Sequence, residues 1–285
     1  MKGTAMNNDW FMDYASHRVR LIALEQEWLE IRYWHLFDEQ ERRGWITKNG
    51  RHILIGEDSG SGGKSGKKVD KSGESGIIES KKITPATEQE IADFKVSLLE
   101  MGFADVTGFE NYTETNEHLL EIIEDFGKLK ADFPDYFKGL KLDFGTVKEM
   151  TDNDYAGYVP GTGTIHLNPV FYNNFEKMQK AYSSDVSRNY HPAGTDYRAT
   201  IFHEFGHRVE HIANINPKKL VKSQFEKAKG RYYTKKQADE WISNGLSIYA
   251  TEFDYIDFIA ESFAEYYNRL EPRGLCISVI DNLLK

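Results

Sequence analysis

Apolar residues recur at helical spacing through most of the chain, and the alternation expected of strands is confined to a few short stretches. Leu21, Leu24, Trp28 and Ile31 recur at intervals of three and four with charged residues between them, which predicts one long helix or two short ones over 9–43. The run 45–55 reads as a β-hairpin, because Asn49-Gly50 supplies the left-handed positions of a two-residue turn. From 57 to 76 almost nothing is apolar, and Gly, Ser, Lys and Asp make up a flexible tether that extends to about residue 83. Gly63-Lys64-Ser65 within it is not a phosphate loop, since Asp58 stands where that motif needs its first glycine. Beyond the tether, Thr87 and Glu90 predict a capping box for a helix to Met101, and a second helix is expected over 115–131 before Pro134. Leu140 to Phe144 alternates as a half-buried strand. Residues 156–167 read as two short strands about a Pro-Gly turn, and Asn168 opens a helix through about Tyr182. A polar loop to Gly194 follows, then helices over 196–214, 218–228, 235–241 and 253–270.

The helix over 196–214 carries the chemistry. It contains His203-Glu204-Phe205-Gly206-His207, the H-E-x-x-H pattern. Residues four apart share a helical face, so both imidazoles can reach one metal ion, with Glu204 beside them as general base for a water held there. Three fixed residues in five arise by chance, and the helical context decides. Ala199, Ile201, Phe202, Phe205, Val209 and Ile212 are apolar at helical spacing, with Asp196 as an expected N-cap and Pro217 beyond the end.

A catalytic zinc site takes three protein ligands and leaves one position open. Glu210 falls where the three-histidine motif requires glycine, so the third ligand is expected to be a carboxylate on another helix. Asp257, Glu261 and Glu265 follow at steps of four between aromatics. One would bind the metal, and the next would accept a hydrogen bond from a ligand histidine. His166, on a strand, is a ligand in principle, but a structural role is expected for it. The strand Thr164 to Leu167 is a candidate for holding an extended substrate by backbone hydrogen bonds.

His203-Glu204-Phe205-Gly206-His207, followed by Tyr249-Ala250 and by Asp257-Phe258-Ile259-Ala260-Glu261, resembles the zinc peptidase domain of anthrax lethal factor. Relatives of that domain include Pro-Pro endopeptidases and domains attached to phage head-morphogenesis proteins and polymorphic toxins. The resemblance covers residues 140–270 and rests on these two motifs, with a weaker one between residues 45–56 and phage minor head proteins. It implies a zincin-like α+β domain, mainly helical, with two His ligands, a carboxylate ligand, a Glu base and a Tyr that stabilises the oxyanion. His203, His207 and Glu204 take the first roles directly. One register makes Asp257 the ligand with Glu261 behind it; the other makes Glu261 the ligand with Glu265 behind it, and keeps the usual glutamate. The second is preferred. Tyr249 is the expected oxyanion tyrosine and Tyr255 the alternative.

Composition narrows the reading. A chain of 285 residues with 40% hydrophobic and 28% charged residues can bury a catalytic domain with an appendage. A net charge of −9 argues against nucleic-acid binding through a basic surface. Cys276 is the only cysteine, so no intramolecular disulfide is expected. No run suggests a signal peptide or membrane span, which makes the cytoplasm the default location, with virion association or dedicated export as alternatives. The expected organisation is a helix-and-hairpin appendage over 1–56, a linker over 57–83 and a metallopeptidase domain over 84–285. The expected function is zinc-dependent hydrolysis of a protein or peptide substrate, phage- or mobile-element-associated. The N-terminal helices are a candidate surface for a protein partner or self-association. The alternatives are a structural or interaction protein with a non-catalytic metal site, and a zinc hydrolase acting on another bond.

Overall fold

The structure, a computed structural model, describes residues 45–48, 51–54, 84–148, 150–230 and 233–284. The helix expected over 9–43 and the linker over 57–83 lie outside them. The chain divides into two compact units, Met1–Gly76 and Ile77–Lys285. In the first, β1 (Trp45–Lys48) pairs antiparallel with β2 (Arg51–Leu54), Lys48 opposite Arg51, in the register that the sequence predicts.

The second unit is an α+β assembly, mainly helical around a small mixed sheet. α1 (Glu88–Met101) begins at the predicted capping box: Glu90 N–H donates to Thr87 Oγ1, and Thr87 N–H donates to Glu90 Oε2. It ends at Gly102 in the left-handed region and leads into β3 (Asp105–Thr107). α2 (Asn116–Asp132) packs on α1 and closes at Phe133, before Pro134. β4 (Lys141–Phe144), β5 (Ala156–Val159) and β6 (Thr164–Leu167) complete the sheet in the order β3-β4-β6-β5. β3, β4 and β6 run parallel, and β5 is antiparallel to β6 at the edge.

The sequence expectation for the substrate strand is corrected here. Thr164 to Leu167 is an interior strand buried at every position, whereas Ala156 to Val159 is the edge. Both runs read as short strands, and nothing in either reveals which has a neighbour on each side.

The helix expected from Asn168 to Tyr182 is two helices, α3 (Pro169–Tyr172) and α4 (Phe175–Ser187). Asn174 interrupts them, its side chain accepting from Lys177 N–H as a fresh N-cap. α5 (Ala199–Ile212) carries the H-E-x-x-H motif and is followed by α6 (Pro217–Lys229) and α7 (Lys235–Gly245). Asp196, three residues before α5 starts, accepts from Arg198 N–H rather than capping the first turn.

The helix expected over 253–270 is α8 (Phe258–Asn268) only. Before it, Phe253, Asp254 and Tyr255 are three successive non-glycine residues at φ 45°, 60° and 71°. Each such residue costs about 1–2 kcal/mol, and apolar periodicity gives no sign of them. Tyr255 anchors the turn, fully buried, its hydroxyl donating to Asp239 Oδ1 on α7 at 2.8 Å. α9 (Gly274–Leu283), which packs on α8, has no counterpart among the predicted elements.

One apolar core joins the layers. Phe94, Phe109 and Phe126 from the first helices and the turn between them meet Leu142 and Ile165 from the sheet, with Phe202, Phe205 and Phe263 from α5 and α8. α5 packs between β5 and α8. Gly206 sets the crossing: a Cβ there would stand 2.7 Å from Ala260 Cα, so the motif helix and the carboxylate helix touch backbone to backbone. Among the described residues no helix is long and apolar enough to cross a membrane.

Candidate metal centre

Burial of α5 aims its polar residues. Positions 199–206 are all buried, so His203 and Glu204 face the interior of a cleft rather than solvent. The cleft, about 750 Å³, is walled by β5, the C-terminal half of α4, the first turns of α5, and the segment holding Tyr190 and His191. Tyr249 and Glu261 complete the wall beside His203, Glu204 and His207.

At its floor, His203 Nε2 and His207 Nε2 are 3.1 Å apart. Asp257 Oδ1 lies 3.4 Å from the first and 3.2 Å from the second. Two ligands bound at about 2.0–2.1 Å to one ion at the tetrahedral angle stand about 3.3–3.4 Å apart, so this triangle has the spacing of a shared ion's ligands. Among the described residues these three form the only group of histidine, cysteine or acidic donors geometrically able to hold a metal ion. With Nε2 unprotonated on both rings, the two lone pairs and the Asp257 oxygen converge on one point, as a cation's donors do.

Asp257 reaches the triangle because the left-handed turn ends just before it, placing it at the N-cap of α8. Glu261 stands elsewhere. Its Oε1 is 2.9 Å from His203 Nδ1, on the far side of the ring from the triangle. The geometry thus assembles Asp257 with the two Nε2 atoms and puts Glu261 behind His203, the first of the two registers rather than the preferred one. Glu265 is fully buried one turn further on, held by the Arg273 guanidinium and backbone N–H. It takes no part in the site.

The electrostatics follow from these contacts. Burial works against a proton on His203, but hydrogen bonds to Asp257 and Glu261 outweigh it and raise its pKa well above the ordinary value. Burial likewise opposes the charge on Asp257 and Glu261, and the imidazoles overcome it. His203 and His207 hold Asp257 well below the usual range, and His191 with His203 holds Glu261 at about 2. One turn beyond His207, burial pushes the Glu210 carboxyl up to about 7, against the pull of His207, and its Oε2 has no hydrogen-bond partner.

Glu204 is buried, lines the cleft and makes no hydrogen bond among the described residues. Tyr249 lies parallel to the His203 ring, centroids 5.7 Å apart, and its hydroxyl makes no hydrogen bond among the described residues. Burial, then the charges of Asp257 and Glu204, raise its pKa, so it stays a protonated donor. Tyr255, the alternative, is turned away to Asp239. His166 pairs with Asp143 Oδ2 at 3.0 Å on the sheet, away from the triangle.

Two site residues have no signal in the sequence. His191 sits in a polar loop without periodicity, yet its Nδ1 is 3.1 Å from Glu261 Oε1. Ser247 Oγ donates to Glu261 Oε2 at 2.7 Å. Arg208 is buried without a carboxylate partner among the described residues, donating to the carbonyls of Tyr136 and Lys138 and to the Tyr158 hydroxyl, and so ties α5 to β5.

No protein-family model, curated protein or solved structure matches this chain.

Proposed function

We propose that this chain is a zinc-dependent endopeptidase with a zincin-like catalytic unit. The observation that carries the reading is the His203–His207–Asp257 triangle at the floor of a cleft, with an unpaired buried carboxylate, Glu204, beside it. Two imidazoles and one carboxylate are a donor set of catalytic zinc, and they leave a position open. When bound there, zinc supplies Lewis acidity for polarising a scissile carbonyl and activating water.

The chain's own residues do the rest. Glu204 accepts the proton of the attacking water and passes it to the leaving amine. Tyr249, kept protonated, donates its hydroxyl hydrogen to the oxyanion. Glu261 accepts from His203 Nδ1 and so holds its Nε2 lone pair toward the triangle. β5 binds the substrate. Asn168 N–H donates to the Tyr155 carbonyl, and the alternation of an antiparallel ladder then turns the N–H and C=O of Ala156 and Tyr158 outward. An extended peptide can add there as the next strand, beside the cleft. That edge supports a peptide substrate over other hydrolysable groups.

Glu204→Gln tests the reading. The variant is expected to bind zinc as the wild type does and to lose peptide hydrolysis by at least about a hundredfold, the scale of a positioned acid–base group. Undiminished turnover in the zinc-loaded variant would remove Glu204 from the mechanism.

A further inference from the structure

His191 is given no role by the reaction set out above, yet it is built into the centre as closely as the motif residues. It precedes α5 in sequence by eight residues, is 8% exposed, and forms part of the cleft wall. Its Nδ1 lies 3.1 Å from Glu261 Oε1, the same oxygen that lies 2.9 Å from His203 Nδ1. The ring is stacked on Tyr182, with centroids 4.9 Å apart and planes within 6°, and it meets Tyr249 edge-on at 5.6 Å.

The rest of the surroundings close a unit. Glu261 Oε2 accepts from Ser247 Oγ, and Ser247 Oγ accepts from Ala250 N–H at 3.2 Å. Ile248 N–H donates to the Asn189 carbonyl at 2.8 Å and Tyr249 N–H to the Tyr190 carbonyl at 3.2 Å. The segment carrying His191 and the turn carrying Tyr249 are therefore hydrogen-bonded to each other along their backbones. Glu261 joins both to His203.

A glutamate has three rotatable bonds, and a single contact to His203 would leave its carboxylate free to swing. Three side-chain donors from three segments remove that freedom. A histidine that only filled space against Tyr182 would not need to share an oxygen with a ligand histidine. We propose that His191 is a positioning residue for the metal centre. Through Glu261 it fixes the tautomer and tilt of His203, and through the paired segments it holds Tyr249 along the His203 ring. The proposal rests on the reading of His203, His207 and Asp257 as metal ligands.

Two variants test it, with zinc and cobalt as the probes. His191→Phe keeps the stack on Tyr182 and removes the donor, and His191→Asn places an amide nitrogen near the lost Nδ1. Competition of the purified full chain against a chromophoric chelator is expected to give zinc affinity 10- to 100-fold weaker in His191→Phe, the range for losing a ligand's supporting partner. His191→Asn is expected to return to within about threefold of wild type, as a restored hydrogen bond requires. The cobalt-substituted absorption spectrum should change in the Phe variant and recover in the Asn variant. A wild type that takes up no zinc overturns the metal-centre reading and this one with it. A wild type that binds zinc while His191→Phe binds it as tightly overturns the role of His191 alone. So does an Asn variant that binds no better than the Phe variant.

Discussion

The two carboxylates nearest His203 differ in which nitrogen they address, and on the proposed reading that difference separates a metal ligand from its support. Asp257 lies against the Nε2 atoms, and Glu261 against Nδ1. Asp257→Ala is therefore expected to leave the purified chain without stoichiometric zinc after dialysis. Glu261→Gln should still take up about one zinc per chain at saturation, with affinity 10- to 100-fold weaker, because an amide oxygen is a poorer acceptor for the imidazole N–H. Elemental analysis and chelator competition read both variants, and the reverse pattern would return Glu261 to the ligand position. His203, Glu204 and His207 were legible because a helix of period 3.6 puts residues four apart together. Between Asp257 and Glu261 the sequence offered two registers of almost equal merit. Aspartate is a methylene shorter, and only a backbone that delivers it from a helix N-cap makes it long enough. His191 and Ser247 lie in irregular segments, where no periodic signal links a residue to its partner in space.

Among elements, the contact of α5 with α8 decides whether the site exists. Gly206 permits it, since its missing Cβ would meet Ala260 Cα at 2.7 Å and Ala260 N at 3.2 Å. Both are backbone atoms, so no side-chain rotation relieves the clash. Gly206→Ala must push apart the helices that carry His203 and Glu261. Overpacking costs about 1–3 kcal/mol, partly offset by the gain of about 1 kcal/mol in helix propensity. Melting should fall, and zinc affinity should fall further than the loss of stability accounts for. Gly127 in α2 is the control, because a Cβ there meets nothing within 4 Å. Gly127→Ala should raise melting slightly and leave zinc binding untouched; equal effects of the two substitutions would show that the α5–α8 crossing is not the determinant. Helices α1, α2 and α5 to α7 were readable from their apolar period, and α1 also from its capping box, whereas the cap expected for α5 at Asp196 does not form. The edge of the sheet and the left-handed turn at 253–255 were not, because pairing partners and positive φ in non-glycine residues leave no trace in hydrophobic spacing.

For the molecule as a whole, the charges of the centre should make stability and the proposed metal binding depend on pH in opposite directions. Without metal, His203 holds a proton more tightly folded than unfolded. Its stabilising contribution is complete below about 6.5, its unfolded value, and is lost as pH rises through the higher folded value. Glu210, raised to about 7, acts in the same sense, since the folded state favours its protonated form. Asp257 and Glu261 act oppositely: their contribution is present above their unfolded values near 4 and fades as pH falls toward the folded values, about 2 for Glu261. The metal-free chain should therefore be most stable in mildly acid solution and soften from pH 6 to pH 8. On the proposed reading zinc displaces the His203 proton, and its affinity should then rise over that interval. At a thousand times Kd a ligand adds about 4 kcal/mol, or about 8–16 °C in melting for a unit of this size. Melting curves with zinc and with a chelator should consequently diverge as pH is raised from 6 to 8, the chelated curve falling and the gap widening. A gap that stays constant or narrows would mean that His203 does not exchange its proton for the metal. The hydrogen bonds that His203 donates to Asp257 and Glu261 would then serve to keep a histidine charged rather than to build a ligand.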